Sequence, residues 1–300
     1  MPQTPDDTPR VGAPARLPLW LAAMHTLLVG LATLALTWQA GALSPQHLGI
    51  WLLALGAAAL AVLAARRGRI AHLELCMLEA SALATASGAT GALELHLVFK
   101  PAALIFTIIF VAACAYSASA RGIFDSKSWA LLGAALVASL AGDVFLMLPD
   151  LFIPGLVSFL LAHLAYIALL KRGARWFESR PALLGTVAVG AAMYAWLWHS
   201  GLPADLRIPV AVYVLVIALM AAQALGRAEQ LQTQDARAVA LGACLFMLSD
   251  SLIAVDRFVE PIPVVLLWVL SSYYAAQFCI VHGMVGALRR HSNKDGQHWQ

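Results

Sequence analysis

The chain is a succession of apolar runs about 20 residues long, joined by short segments that hold most of its basic residues. About 20 apolar residues let a helix cross the hydrocarbon core of a bilayer, where the backbone must satisfy its own hydrogen bonds. Helices do this singly. Strands do it only in a closed barrel, and the runs here are unbroken rather than alternating, which sets a barrel aside. The sequence therefore predicts an all-α, polytopic transmembrane helix bundle of ten spans: 18–38, 47–65, 72–93, 98–118, 129–148, 152–170, 181–199, 205–226, 236–255 and 262–287. Composition agrees: 61% of residues are hydrophobic and 12% charged, against about 25% charged in a soluble domain. A soluble enzyme, a nucleic-acid binder and a disordered adaptor are excluded. A net charge of +3 asks for no acidic macromolecular partner.

The third run is the weakest, because it carries Glu74 and Glu79. The basic residues decide in its favour. Cytoplasmic loops are enriched in Lys and Arg. With a cytoplasmic N-terminus, only Lys100, Arg207 and Arg257 of the 19 basic residues fall outside, and the other 16 fall inside. Dropping the third span would put the 66–69 and 171–180 clusters on opposite sides, so it stays and both termini are expected in the cytoplasm. The expected organisation is a disordered tail (1–16), a two-span extension (17–71), an eight-helix bundle (72–288) and a cytoplasmic tail (289–300). Ala40-Gly41-Ala42 has the small residues of a signal-peptidase site, but the preceding run is longer than a signal core. It is read as the first span. Arg outnumbers Lys 15 to 4 and Ala abounds, which points to a bacterial inner membrane.

Ionisable groups inside a bilayer cost about 2.5–3.5 kcal/mol each on insertion scales, so each needs a reason. Asp143 and Asp250 stand about five residues before the expected ends of the fifth and ninth spans, roughly 8 Å below the outer boundary. Matched depth on parallel helices would let both carboxyls share one pocket. The plainer reading is that each bonds a neighbouring helix. Lys100 is expected at the outer mouth of the fourth span, either serving that pocket or snorkelling to the interface. His163, about mid-membrane, and Tyr273, Tyr274 and Gln277 at similar depth would floor the cavity, although each alone reads as an interhelical hydrogen-bonder. Glu74 and Glu79 read as interfacial. Cys76, Cys114, Cys244 and Cys279, with no C-x-x-C spacing, read as buried small residues. No G-x-S-x-G, H-E-x-x-H, P-loop or dinucleotide fingerprint occurs, and His163 is the only deep histidine of the second half. No metal or cofactor is expected.

There is a faint internal echo. Asp143 precedes Asp150-Leu-Phe152 and Pro154, and Asp250 precedes Asp256-Arg-Phe258 and Pro261. Lys100-Pro101, Ser139…Gly142-Asp143, Gly155-Leu-Val-Ser-Phe159-Leu-Leu-Ala-His163-Leu-Ala-Tyr166, Leu241-Gly242-Ala243…Ser249-Asp250 and Tyr273-Tyr-Ala-Ala-Gln277 follow one another in order. In these motifs the chain resembles, over residues 72–287, the YhhN family of multi-span membrane proteins, which includes the lysoplasmalogenases. It departs from that pattern in its first two spans and in Ala102, where the family usually has Leu.

The resemblance implies an eight-helix shared bundle that hydrolyses the sn-1 vinyl-ether bond of a lysoplasmalogen. The products would be a fatty aldehyde and glycerophosphoethanolamine or glycerophosphocholine. It implies that Asp143 and Asp250 are catalytic; around them Lys100, Ser139, His163, Tyr166, Ser249, Tyr273, Tyr274 and Gln277 are the expected substrate-binding set. The implied partners are a lysophospholipid and the surrounding lipid bilayer, with no nucleic acid. Vinyl-ether hydrolysis needs a proton on the β-carbon and water at the resulting oxocarbenium ion, which suits a carboxyl pair. Two other readings of the acidic pair stay open. One is a metal-dependent lipid hydrolase with Asp143, His163 and Asp250 as ligands. The other is a proton-coupled transporter that uses the pair as a relay.

Overall fold

A computed structural model describes residues 17–39, 45–121 and 125–297. The expected N-terminal tail and Ala40-Gly41-Ala42 lie outside the described residues. Ten helices and no strand make up the described chain: α1 (Leu19–Gln39), α2 (Pro45–Arg66), α3 (His72–Ala89), α4 (Leu93–Ser119), α5 (Ser126–Met147), α6 (Phe152–Lys171), α7 (Arg180–His199), α8 (Arg207–Leu231), α9 (Gln234–Phe258) and α10 (Val265–Gln297). Among the described residues eight of them, α2 and α4 to α10, are long and apolar enough to cross a membrane. Their outward faces carry residues such as Leu60, Ile105, Val137, Leu184, Ile208 and Trp268, all exposed. So much apolar exterior fits hydrocarbon rather than water.

Seven helices close a ring in which α3, α4, α5, α6, α8, α9 and α10 each pack on the next and α10 returns to α3. Three lie outside it: α7 rests on α8 and α9, while α1 and α2 rest on α3. This arrangement explains the weak hydropathy of α3. A helix surrounded by protein needs no lipid-compatible face, and α3 buries Glu74, Glu79, Ser81, Thr85 and Ser87. The interfacial reading of the two glutamates is thereby corrected. Glu74 accepts from His282 Nδ1 at 2.7 Å, and Glu79 accepts from His25 Nδ1 at 2.6 Å. Each is buried because a histidine on another helix meets it.

Small residues set the closest approach in the ring. A Cβ on Gly242 of α9 would stand 2.7 Å from the carbonyl oxygen of Ala276 on α10, so only glycine lets these backbones touch. Several helix limits differ from expectation, those of α10 and α4 among them. α10 runs on to Gln297 instead of ending at 287, held by Arg290 paired with Asp235 and by Arg289 bonded to the Cys114 sulfur at 2.9 Å. α4 begins at Leu93, so Lys100 lies two turns inside the helix rather than at its mouth.

Candidate active site

Lys100 is 8% exposed, too buried to snorkel, and precedes Pro101 within α4. Its ammonium lies 3.4 Å from Asp143 Oδ1. Asp143, 2% exposed, accepts the Tyr273 hydroxyl on Oδ2 at 2.8 Å. Gln277 Nε2 donates to that tyrosine oxygen at 3.3 Å, and the Tyr166 hydroxyl donates to Gln277 Oε1 at 2.9 Å. Tyr274 donates to the Lys100 carbonyl at 3.4 Å. Ser139, fully buried one turn before Asp143, sits beside the Tyr166 hydroxyl. Residues from α4, α5, α6 and α10 thus form one polar chain around Asp143. A buried ion pair repays its desolvation only when the remaining hydrogen-bonding capacity is met, which Tyr273 helps to do here.

Asp250 has different neighbours. Tyr213 of α8 donates to its Oδ2, and His163 Nε2 stands 3.4 Å from the same oxygen and 3.0 Å from the Tyr213 hydroxyl. The other His163 nitrogen, Nδ1, is buried with no hydrogen-bond partner. Ser249, beside Asp250 in sequence, donates to the Val269 carbonyl at 3.0 Å. Its hydroxyl ties α9 to α10. The carboxylates are also not at matched distances from their helix ends. Asp143 precedes Met147 by four residues and Asp250 precedes Phe258 by eight, about 6 and 12 Å along the axes. The difference arises because α9 continues three residues beyond the expected end of its span and α5 stops one residue short of its own.

Phe159 and Phe246 join the two groups. Phe246 meets the His163 ring edge-on at 4.7 Å and the Tyr273 ring at 5.3 Å between centroids, and Phe159 meets Tyr273 at 5.9 Å. A Cβ on Gly142 would stand 2.6 Å from the Phe159 ring, so the glycine before Asp143 makes room for that wall. An apolar cavity of about 70 Å³ opens beside Asp250 between α6, α7, α8 and α9, lined among others by Phe152, Phe159, Met193 and Tyr213. Asp143 and Lys100 do not reach it.

Asp143, His163 and Asp250 do not converge as a ligand trio. Asp143 is engaged by Lys100 and Tyr273 instead. Tyr213 was missed in the sequence, although it is the only polar side chain between Arg207 and Gln223. An isolated hydroxyl in so long an apolar run is a usable signal.

The YhhN family model matches residues 95–284. The chain belongs to the YhhN family. The match takes in both aspartates and every residue bonded to them, and begins just inside α4, so α3 completes the ring from outside the matched segment. Among curated relatives, the human protein named lysoplasmalogenase TMEM86B is 34% identical over 150 residues, half of this chain and 61% of that protein. A lysoplasmalogenase of Mycobacterium tuberculosis is 34% identical over 200 residues, 63% of this chain and 71% of that protein. Human lysoplasmalogenase TMEM86A is 34% identical over 155 residues. The chain spans about three fifths of the length of the human relatives it matches. No solved structure matches it.

Proposed function

We propose that this YhhN protein is a membrane-embedded lysoplasmalogenase, which hydrolyses the sn-1 vinyl-ether bond of a lysoplasmalogen in a bacterial inner membrane. The observation that carries the reading is a difference in surroundings between the buried Asp143 and the half-buried Asp250. Asp143 is matched to a permanent cation, whereas Asp250 has only neutral-capable neighbours and borders an apolar cavity. Relatives that share this segment are named for the same activity.

In this mechanism Asp250 is the acid. Both its recorded contacts fall on Oδ2, which leaves Oδ1 to carry a proton toward the cavity. That proton goes to the β-carbon of the vinyl ether and generates an oxocarbenium ion. Asp143, which contacts Lys100 and Tyr273, is assigned the negative charge that stabilises the developing cation, an effect strongest in a low-dielectric surround. Water adds to the cation and gives its proton to the Asp250 carboxylate, which restores the acid. The hemiacetal then collapses to aldehyde and glycerophospho-alcohol.

Lys100 is occupied by Asp143, so the lipid phosphate needs another cation. Arg257 is exposed at the end of α9 and stacks at 4.1 Å on Phe152, which lines the cavity. It is placed to hold a headgroup phosphate while the alkenyl chain enters below. The distribution of basic residues supports cytoplasmic termini and an entrance that faces the outer leaflet.

The test is aldehyde release by purified protein in nanodiscs from 1-alkenyl, 1-alkyl and 1-acyl lysophospholipids. Aldehyde should form from the alkenyl lipid alone and cease in Asp250→Asn. Arg257→Ala should raise KM about tenfold at little cost in kcat, the signature of lost uniform binding. Failure of wild-type protein to release aldehyde from any 1-alkenyl lysolipid overturns the proposal.

A further inference from the structure

A second cluster of chemically capable side chains lies outside this site, where α1 packs on α3. His25 of α1 is buried; its Nδ1 donates to Glu79 Oε2 at 2.6 Å, and its Nε2 faces His72 Nε2 at 2.6 Å. The two imidazole planes stand at 89° with centroids 4.8 Å apart. Cys76 follows His72 by four residues, one helical turn, so both project from the same face of α3. The candidate ligand atoms of His25, His72 and Cys76 all lie within 4.8 Å of one another. Among the described residues this is the one such convergence of His, Cys, Asp or Glu.

We propose that His25 Nε2, His72 Nε2 and Cys76 Sγ bind one borderline-soft divalent cation of the zinc class, with Glu79 fixing His25 through its other nitrogen. Four observations carry this. Two imidazoles and a thiolate are the donor set such ions prefer over carboxylate-loving magnesium or calcium. A carboxylate behind a ligating histidine sets its tautomer and orientation, and Glu79 already occupies that place. Charge balances: a dication with the Cys76 thiolate and the Glu79 carboxylate sums to zero, which relieves a buried acid whose Oε1 has no hydrogen-bond partner. Finally, His72 is exposed at the α2–α3 turn, which gives the ion a route in.

Loading needs only local changes. His72 shifts its proton to Nδ1, Cys76 releases its thiol proton to solvent, and the Nε2 atoms move apart to admit the ion between them. The ion would clamp α1 to α3, and its ligands share no residue with the acidic site.

The experiment uses untagged, full-length protein stripped with chelator, then dialysed against Zn(II), with metal counted by mass spectrometry. About one zinc per chain should be retained. Co(II) should give the absorption of a thiolate-to-cobalt charge transfer, which needs no variant and directly reports Cys76. Cys76→Ser should abolish that band, and His72→Gln, at an exposed position, should reduce retained zinc at least tenfold. Glu79→Gln should weaken binding about 10–100-fold. Cys279→Ser should change nothing. Absence of the cobalt band in wild-type protein, or unchanged zinc content in the Cys76→Ser/His72→Gln double variant, overturns the proposal. None of these readouts depends on lipid hydrolysis.

Discussion

Asp143 and Asp250 occupy similar sequence, each late in an apolar helix beside small residues, yet the fold gives them opposite surroundings. Asp143 lies in a closed network with Lys100, Tyr273, Gln277 and Tyr166. Asp250 lies at the wall of a cavity with Tyr213 and His163, and among the described residues no permanent cation is paired with it. A carboxylate beside a buried ammonium has a fixed opposite charge as its partner. One beside a phenol and an imidazole has hydrogen-bonding groups that can both be neutral. In the proposed mechanism two residues of one type take two roles from these environments.

That contrast can be broken first at the carboxyls themselves. Asp250→Asn should lower kcat by about 10²–10⁴-fold, the range of a lost general acid–base group. Asp143→Asn should lower it too, and aldehyde-release kinetics at near-wild-type rate in either variant would dissolve the division of roles. Next in size is Lys100→Met. It strands a buried carboxylate, at a cost of about 3–5 kcal/mol in stability, read as a drop in the unfolding midpoint in detergent. Adding Asp143→Asn to Lys100→Met should recover most of that stability without recovering activity. No equivalent rescue is expected on the Asp250 side, because no obligate charge is stranded there.

Tyr213→Phe should be milder. Removing one donor from a buried acceptor costs about 1–3 kcal/mol, and the effect should fall on kcat more than on KM because Tyr213 bonds the acid. An unchanged kcat would remove Tyr213 from the mechanism. The smallest effect is expected far from either carboxyl, at Asp125. This exposed residue caps α5 through Ser128 and pairs with Arg172 at 3.0 Å. Partial burial pushes its carboxyl up, but the hydrogen bonds from Ser128 and Arg172 outweigh that and hold it below its ordinary value. Because the folded-state value is the depressed one, the stabilisation is complete above the unfolded value of about 3.9 and is lost as pH falls through the folded one. Asp125→Asn should therefore cost less than about 1 kcal/mol at neutral pH. The difference from wild type should vanish at the acid end of a melting series.

The sequence reveals the helices more fully than their neighbours. Ten apolar runs become ten helices because, in lipid, length and hydropathy almost suffice to specify a span. The caps are legible too: Asp125, Ser179 and Thr233 accept from the backbone at the starts of α5, α7 and α9. Asp143, Lys100, Tyr273, Gln277 and Tyr166 could be singled out as polar groups in apolar runs, and they do meet. What they meet could not be read, because partnership depends on which helices adjoin and at what rotation. Lys100 looks terminal when α4 is started at 98, and is buried once the helix begins at Leu93. Ser249 looks like part of the acidic motif, but its hydroxyl faces the α10 backbone. The His72–Cys76 spacing is visible in the sequence, but His25, which gives it meaning, is 47 residues away.

The encasement of α3 bears on how the chain enters the membrane. Its Glu74 is answered by His282, which is synthesised 208 residues later, and its neighbour α10 is the last of the ten described helices. While the protein is being made, α3 must wait among its first companions with an acid unanswered, and the barrel of helices has a missing stave. The arrival of the final helix both seals the wall and brings Tyr273 to Asp143, so assembly of the enclosure and assembly of the acidic centre are one event.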